Sequence, residues 1–429
     1  MKLVTSLLRL PSVFVHKRLA FFALMAAAAG IKLTMSAIAP ASYDMQAWQF
    51  FRFTSPPWVV LETSLFEVWN MLTSSNVSLD AWSTTPPQAM AADLRFLSVL
   101  IRLPAFAFDI LMAAALYLAA SKFTGDANLA RLTSLVWFLN PYTLFAAELL
   151  AVPDVLVALL TLVSALCLLQ GRPILSAILL FSAVGLKLYP ILLLPAILIH
   201  VHKYSVAKRQ YWFTFTACGL LGVAAYLSWL LQDIDLVQGR NMVLLFTVYN
   251  PVSQPFAVLG VFSSSIPLSV AMAALVIVYF FAWNFARDSS SASYLIHLYS
   301  VVLLTYFVFS DFHPQYFMWV LPFITLDVAL FNRRRLVLLF VLLVALFGSW
   351  FISSFAFLTP SRYSLLLIPL EGPGLPSYSL AIREFLQSLL TKLVLLPLLE
   401  DAMYAVAVVY VIAIVIHWYW NRQAGTQGH

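Results

Sequence analysis

One carboxylate stands in a sequence that suits it for acid–base chemistry. Asp44 lies in the segment Ala-Ser-Tyr-Asp-Met-Gln-Ala-Trp-Gln-Phe at 41–50, directly after an apolar run, and its neighbours Tyr43, Trp48 and Phe50 are of the kind found at membrane interfaces. A carboxylate that such rings partly shield from water can act as a general base on a hydroxyl group. The same residue type also caps helix N-termini. Asp44 is therefore predicted to be either a catalytic base or the cap of a following helix.

Two further charges lie within a long apolar run and are separated by seven residues. Arg102 and Asp109 would share one face of a helix, two turns or about 10 Å apart along its axis. Because they are too far apart to pair with each other, each is expected to find a partner elsewhere. Lys187 is the predicted partner of Asp109, in a structural ion pair rather than in catalysis. Lys32 is expected to extend its ammonium toward the membrane surface.

Other polar residues occur where apolar runs end. Asp154 follows a proline, Arg240 lies in a long loop, and His313 precedes the sequence Pro-Gln-Tyr-Phe that contains Gln315. These residue types can hold an anionic substrate or transfer a proton. The chain has no H-E-x-x-H sequence, P-loop or nucleophile elbow, and its two cysteines lie inside apolar runs. Soluble nucleotide chemistry, a dedicated metal site and a nucleic-acid partner are therefore not expected.

The composition places these residues in a membrane protein. Of the 429 residues, 62% are hydrophobic and only 10% are charged, whereas soluble domains carry about 25% charged residues. So few charges cannot cover the surface of a soluble protein of this length. Disorder is excluded as well, because the sequence contains 34 Phe, 18 Tyr and 12 Trp. We predict an all-α polytopic integral membrane protein that forms a single domain over residues 1–429.

Twelve apolar runs are predicted to cross or enter the bilayer, which requires roughly 20 residues for a complete helix. They lie at 19–38, 96–120, 132–150, 153–170, 174–186, 188–201, 211–231, 266–286, 293–311, 315–331, 336–358 and 403–420. Short segments between these runs contain basic residues. By the positive-inside rule, these basic segments and both termini lie in the cytoplasm. The basic residues are Lys2, Arg9, Lys17, Arg18, Lys122, Arg131, Arg172, Lys203, Lys208, Arg209, Arg287, Arg333, Arg334, Arg335 and Arg422. The membrane is expected to be a prokaryotic plasma membrane or the endoplasmic reticulum membrane.

Residues 173–201 interrupt the simple alternation of crossings. Basic residues flank both ends, at Arg172 and Lys203, so the segment must cross an even number of times. Because it is too short for two complete crossings, we predict a hairpin of two half-length helices that meet at Lys187–Pro190. Broken helices occur at membrane depth where they are buried in protein or line a wet cavity, and they often mark functional sites. One long helix is the alternative interpretation.

Three long segments are predicted on the outer side, at 39–95, 232–265 and 359–402. The first contains Asp44 and a stretch at 57–72 in which apolar and polar residues repeat with helical periodicity. This pattern predicts an amphipathic helix that lies flat in the outer interface. Its apolar face would comprise Trp58, Leu61, Leu65, Trp69 and Leu72, and its polar face Glu62, Thr63, Glu67 and Asn70.

Four short sequences occur in an order known from one family. They are Arg-Leu-Pro-Ala-Phe-Ala-Phe-Asp at 102–109, Phe-Leu-Asn-Pro at 138–141 with Asp154 beyond, Gly-Leu-Lys-Leu-Tyr-Pro at 185–190, and Pro-Gln-Tyr-Phe-Met-Trp at 314–319. In this order they resemble sequences of the GT-C glycosyltransferases. The resemblance is strongest to the catalytic subunit of the first mannosyltransferase of GPI-anchor assembly and its prokaryotic relatives.

The resemblance implies an enzyme that transfers a hexose, with mannose as the expected sugar. The donor would be a dolichyl- or polyprenyl-phosphate sugar, and the acceptor a lipid-linked or glycan hydroxyl on the outer or luminal face. Asp44 would be the catalytic base. The substrate-binding candidates are Arg102, Asp109, Asp154, Lys187, Tyr189, Arg240, His313 and Gln315. No cofactor is implied with certainty, although a divalent metal and an accessory membrane subunit are compatible with the family.

The chain departs from the family pattern at one position. The family carries Asp-x-Asp in its first outer loop, whereas Asp44 is followed by Met45 and Gln46. One alternative is therefore a non-catalytic relative that binds a lipid-linked glycan, as in the GPI-transamidase subunit that resembles the same mannosyltransferase. A secondary transporter with its broken helix at mid-membrane is a second alternative. The long, uneven outer loops and the lack of an internal repeat argue against a transporter.

The predicted topology places Arg333–Arg335 in the cytoplasm. Single cysteines introduced there, in a chain whose Cys167 and Cys218 are replaced by alanine, should react with a membrane-impermeant maleimide only after the membrane is permeabilised. A cysteine in the 39–95 loop should react in intact cells and serves as the control. Labelling of 333–335 from outside would refute the twelve-segment topology.

Overall fold

The structure, a computed structural model, describes residues 12–38, 56–73, 92–149, 151, 153–205, 208–232, 268–284, 291–308, 314–331, 336–337 and 339–344. Within these ranges all regular structure is helical and no strand occurs. The all-α class predicted from the composition is confirmed for this part of the chain. Two of its helices contain stretches, Leu19–Ser36 and Val99–Thr124, that are long and apolar enough to cross a membrane.

Ten of the eleven α-helices in the described residues overlap a predicted apolar run, the helix at Pro56–Thr73 covers the predicted amphipathic stretch, and the run predicted at 132–150 is interrupted after Phe138. These helices are α1 (Ser12–Ile38), α2 (Pro56–Thr73), α3 (Ala92–Thr124), α4 (Ala127–Phe138), α5 (Asp154–Leu169), α6 (Pro173–Leu186), α7 (Leu194–Tyr204), α8 (Lys208–Gln232), α9 (Leu268–Asn284), α10 (Ser291–Val308) and α11 (Leu321–Phe331). The short elements are a helical turn at Pro141–Thr143, a π-helical turn at Leu144–Leu149, and 3₁₀ turns at Tyr189–Leu193 and Pro314–Trp319. Most of the run predicted at 336–358 and all of that at 403–420 lie outside the described residues.

Two tight turns fold the chain into antiparallel helix pairs. Gly125 ends α3 with φ +68°, and the Asp126 carboxylate accepts hydrogen bonds from two N–H groups in the first turn of α4. Gly171 joins α5 to α6 with φ +72°, and Pro173 opens α6. Glycine adopts a positive φ without steric strain, and proline suits the first turn of a helix. We call the end of the bundle that holds these two turns the basic end, because Lys122, Arg131 and Arg172 belong to it.

Side-chain hydrogen bonds between helices fix this antiparallel register. The Ser134 hydroxyl of α4 donates to the Ala113 carbonyl of α3 at 2.9 Å. The Ser164 hydroxyl of α5 donates to the Ser176 carbonyl of α6 at 2.7 Å. Small side chains at these contacts allow close approach of the helix backbones, as is typical of helices that pack in membranes.

The segment predicted to be broken is interrupted at Lys187. Helix α6 ends at Leu186, Lys187 is extended with φ −151° and ψ 142°, and a 3₁₀ turn begins at Tyr189. A Cβ atom on Gly171 would lie 3.9 Å from the Tyr211 hydroxyl oxygen, so the start of α8 lies beside the start of α6. The chain between them therefore leaves the basic end of the bundle and returns to it.

Helix α2 forms where the amphipathic helix was predicted, but its buried face differs from the prediction. Trp58, Glu62, Phe66 and Trp69 are buried, whereas Leu72 is 74% exposed. The Trp58 indole donates to Glu62 Oε1 at 2.7 Å, and this helix packs on α3 and α6. The assignment of Glu62 to the polar face was wrong because the indole, one turn away, satisfies one carboxyl oxygen inside the packed face.

Burial of Glu62 should make the stability of the protein depend on pH. Burial raises the pKa of Glu62 from 4.5 to about 8, and the hydrogen bond from Trp58 acts in the opposite direction. Because the folded state binds this proton more tightly than the unfolded chain, the free energy of unfolding should fall as the pH rises between these two values. The slope is at most about 1.4 kcal/mol per pH unit.

Thermal unfolding in detergent at a series of pH values tests this dependence. The slope should be smaller in Glu62→Gln and unchanged in Glu67→Gln, because Glu67 lies on the exposed face of the same helix. A Glu62→Gln protein with the wild-type slope would contradict the assignment.

Candidate functional site

Six buried ionisable side chains gather at the end of the bundle opposite the basic end. We call them the polar layer: Lys32, Arg102, Lys187, Asp109, Glu148 and Asp154. Three are cations and three are carboxylates, so their formal charges balance. Buried charges are costly unless they are paired and hydrogen-bonded, and in a membrane they mark functional sites by default. The polar layer is therefore the candidate functional site.

The first cluster of the polar layer is centred on Asp109 in α3. Lys32 Nζ lies 2.5 Å from Asp109 Oδ2, and the Trp137 indole donates to Oδ1 at 2.7 Å. Lys32 also donates to the Thr143 hydroxyl at 3.1 Å and lies 3.3 Å from Glu148 Oε1. One ammonium is thus shared between two carboxylates, all of them buried.

The second cluster is centred on Asp154, the first residue of α5. Lys187 Nζ donates to both carboxylate oxygens, at 2.9 Å and 2.8 Å, and the Trp319 indole donates to Oδ1. The Trp319 ring stacks on Tyr189 with ring centroids 4.0 Å apart and an angle of 9° between the ring planes. This stacking fixes the direction in which the indole N–H points.

Helix ends place the two charges of the second cluster where the backbone favours them. Asp154 lies in the first turn of α5, and Lys187 is the C-cap of α6. The N-terminus of a helix carries a partial positive charge and the C-terminus a partial negative charge. The Lys187–Asp154 pair therefore lies between two helix ends of complementary polarity.

A packed aromatic pair joins the two clusters. The Asn140 side chain accepts a hydrogen bond from the Tyr142 N–H at 2.9 Å and so turns the chain after α4. The Tyr142 ring then lies 5.0 Å from the ring of Phe317, which belongs to the same 3₁₀ turn as Trp319. The Leu-Asn-Pro sequence thereby brings the segment that contains Glu148 against the second cluster.

Glu148 and Asp154 are six positions apart in sequence, and the described residues near them include unusual backbone conformations. Glu148 lies in the π-helical turn at Leu144–Leu149, and Ala151 has φ +54°. A left-handed conformation is unfavourable for a residue with a Cβ atom, and π-helical turns occur frequently at functional sites. Glu148 and Asp154 contact different lysines, Lys32 and Lys187, although they are close in sequence.

The predicted pairing of Asp109 with Lys187 is wrong. Asp109 binds Lys32, and Lys187 binds Asp154. The prediction failed because it assigned Lys32 to the membrane surface, whereas this side chain is buried and points into the bundle. Partners on different helices depend on which helix faces come together, and sequence spacing within α3 could not show this.

Sequence reasoning missed Lys32 as a member of the polar layer and the two tryptophans that donate to its aspartates. Lys32 belongs to a buried stripe on α1 with Ala28 and Ser36, at intervals of four residues, and this spacing was a usable signal. Trp137 and Trp319 serve as hydrogen-bond donors to the two aspartates. Tryptophan in an apolar run carries no sequence signal that separates a donor from a packing residue.

Arg102 has a structural contact that its sequence position did not predict. Its side chain is fully buried, and one guanidinium nitrogen donates to the Ser36 carbonyl at 3.0 Å. That carbonyl belongs to the last turn of α1, where carbonyl groups lack partners within the helix. Arg102 therefore ties the end of α1 to α3.

Several predicted site residues cannot be placed in this geometry. Asp44, Arg240 and His313 lie outside the described residues, and Gln315 is described only in its backbone, within the turn Pro314–Trp319. Their roles stay predictions. Among the residues that the structure describes, no three His, Cys, Asp or Glu side chains are grouped to hold a metal ion.

Comparison with protein-family models and with the sequences of curated proteins gives no match to this chain.

The observed pairing predicts a specific energetic coupling between Lys187 and Asp154. Lys187→Met should lower the stability of the folded protein by about 3–5 kcal/mol, because it leaves the Asp154 carboxylate buried without its ammonium. Adding Asp154→Leu should recover much of this loss. Unfolding in detergent of the two single variants and the double variant gives the coupling free energy.

The matched control combines Lys187→Met with Asp109→Leu. These residues belong to different clusters, so their double variant should show no recovery. A larger coupling free energy for Lys187 with Asp109 than with Asp154 would contradict the observed pairing.

Proposed function

We propose that this chain is a membrane-embedded hexosyltransferase that uses a dolichyl- or polyprenyl-phosphate sugar, with mannose as the expected sugar. The observation that carries the proposal is the Lys187–Asp154–Trp319 cluster at the helix break. It supplies a buried ammonium at the end of the bundle opposite the basic end. Such a cation suits a phosphate carried on an isoprenoid chain, because the chain stays in the bilayer while the phosphate reaches a polar pocket.

The leaving group explains why a cation is needed. When the bond between the anomeric carbon and the phosphate oxygen breaks, negative charge develops on the phosphate, and a fixed cation stabilises it. Of the three cations in the polar layer, Lys187 is the most exposed, at 9%, compared with 3% for Lys32 and 0% for Arg102. Arg240 and His313 are the further candidates, on the same predicted outer side.

The proposed reaction is a single displacement at the anomeric carbon. Asp44 takes the proton from the acceptor hydroxyl, the hydroxyl oxygen forms the new bond to the sugar, and the lipid phosphate leaves with the electron pair. The configuration at the anomeric carbon is inverted. Tyr189 and Gln315 would line the donor site, whereas Arg102 and Asp109 would act through the scaffold. The reaction requires no nucleotide and is compatible with a divalent metal.

The membrane topology proposed for this enzyme has twelve segments with both termini in the cytoplasm. In that topology the polar layer lies at the outer or luminal end, where Asp44 follows α1 in sequence by six residues. Helix α2 would lie in the outer interface, since its outward side chains Val60, Met71 and Leu72 are apolar and more than half exposed. An accessory membrane subunit is compatible with this arrangement.

The second candidate function is binding of a lipid-linked glycan without transfer. Met45 and Gln46 stand where the resembled family carries the rest of its Asp-x-Asp sequence, and this difference favours the second candidate. The two candidates share a site for the lipid phosphate and differ only in chemistry at Asp44. One substitution therefore separates them.

The test uses purified protein in lipid with radiolabelled dolichyl-phosphate-mannose and extracted membrane lipids as acceptors. Asp44→Asn keeps the shape and hydrogen-bonding capacity of the side chain but removes its basicity, so turnover should fall about 10²–10⁴-fold. Donor affinity and melting temperature should stay near the wild-type values, because removal of a negative charge does not weaken a phosphate site. If Asp44 is a helix cap instead, stability should fall by about 1 kcal/mol while turnover survives.

The matched control is Asp80→Asn, which makes the same chemical change in the same predicted loop. It should leave turnover unchanged. Sugar transfer by Asp44→Asn at the wild-type rate would exclude the catalytic assignment, and binding without transfer by the wild-type protein would favour the second candidate.

A further inference from the structure

The polar layer contains the same arrangement of side chains twice. In each copy, an aspartate accepts from a lysine ammonium and from a tryptophan indole N–H. The first copy is Lys32, Asp109 and Trp137, and the second is Lys187, Asp154 and Trp319. Because the two copies share their chemistry, any difference in role must come from their surroundings.

The first difference is electrostatic. Lys32 lies 3.3 Å from Glu148 Oε1 in addition to its contact with Asp109. The carboxyl groups of Asp109 and Glu148 occupy two sides of this ammonium, so less of it is left to contact an anionic ligand. The Lys32 cluster is therefore suited to a fixed scaffold and not to an anionic ligand.

The second difference is the position of the lysine in its backbone element and the exposure of its side chain. Lys32 lies within the continuous helix α1, and its side chain is 4% exposed. Lys187 is an extended residue between α6 and a 3₁₀ turn, and its side chain is 11% exposed. The Lys187 ammonium is therefore more accessible to a ligand than the Lys32 ammonium.

We infer that Lys187 binds the phosphate of an isoprenoid-phosphate ligand, and that Trp319 is the positioning residue that holds Asp154 in place when the ammonium turns to this phosphate. The inference rests on the proposed function for the class of ligand. It adds a division of roles between the two clusters, and it assigns Trp319 and Asp154 to control of the Lys187 ammonium.

Competition for the ammonium is the physical basis of this role. Asp154 and the phosphate are both anions that bind the Lys187 ammonium. Weaker binding of the ammonium by Asp154 therefore strengthens its binding to the phosphate. The indole N–H of Trp319 donates to Asp154 and satisfies part of its charge. Stacking on Tyr189 keeps the indole in this position. Without the indole N–H, Asp154 should bind Lys187 more tightly, and the phosphate should bind less well.

The experiment measures binding of decaprenyl phosphate to the full-length protein in lipid nanodiscs, with decaprenol as the neutral control ligand. Trp319→Phe keeps the aromatic ring against Tyr189 and removes the N–H. It should weaken decaprenyl phosphate binding about tenfold or more, which corresponds to one hydrogen bond to a charged group. Trp137→Phe makes the same change in the first cluster, which contains Lys32 and Asp109. It should leave this affinity unchanged, although both variants lower the melting temperature.

Asp154→Asn gives a result of opposite sign. It removes the competing anion and should strengthen decaprenyl phosphate binding, while it lowers the melting temperature because Lys187 loses its buried partner. If Asp154 had a purely structural role, Asp154→Asn would lower both the affinity for decaprenyl phosphate and the melting temperature. This variant decides the inference by itself if Trp319→Phe does not fold.

Three results would overturn the inference: equal loss of affinity in Trp319→Phe and Trp137→Phe, no loss in Trp319→Phe, or weaker binding by Asp154→Asn. Its failure is distinct from failure of the proposed function. If the protein transfers sugar but none of the variants changes the affinity for decaprenyl phosphate, the proposed function is supported and this inference is refuted. The expected affinities in a protein that transfers no sugar would support the inference and favour binding of a lipid-linked glycan without transfer.

Discussion

The rest of the structure depends on how two buried aspartates are neutralised. Asp109 and Asp154 each accept from one lysine ammonium and one tryptophan indole, and all these groups are buried or nearly so. A carboxylate in an apolar bundle is stable only when its oxygens are bound in this way. This requirement fixes which helices are neighbours at this end of the bundle, because each aspartate receives its donors from two other segments of the chain.

The irregular elements of the fold serve these contacts. The chain breaks after α6 at Lys187, forms a π-helical turn before α5 and a 3₁₀ turn before α11, and each irregular segment delivers a side chain to the polar layer. Continuous helices at these places would direct the same side chains elsewhere. The helices on the basic side of the layer are regular, since they pack through small and apolar side chains and carry few buried charges.

The short sequences that carry the family resemblance are distant in the chain and close in the fold. Asp109, Tyr142, Asp154, Lys187 and Trp319 lie within or next to these sequences, and the structure connects them through ion pairs, indole hydrogen bonds and aromatic contacts. Each sequence alone has a weak signal, because apolar helices contain many similar runs. Their meeting in one polar layer gives a physical reason for residue types that would otherwise be costly at these places.

In the part of the chain that the structure describes, the sequence by itself determined the helical class, the approximate extent of most helices and the break at Lys187–Pro190. These features depend on composition, on apolar runs and on proline, which act within one segment. Only the tertiary structure decided that Asp109 binds Lys32, that Lys187 binds Asp154, and that Glu62 is buried. Each of these depends on which face of one element meets another. Spacing along a helix orders residues on that helix alone, whereas the cost of an unpaired buried charge is met by groups that the rest of the chain brings within reach.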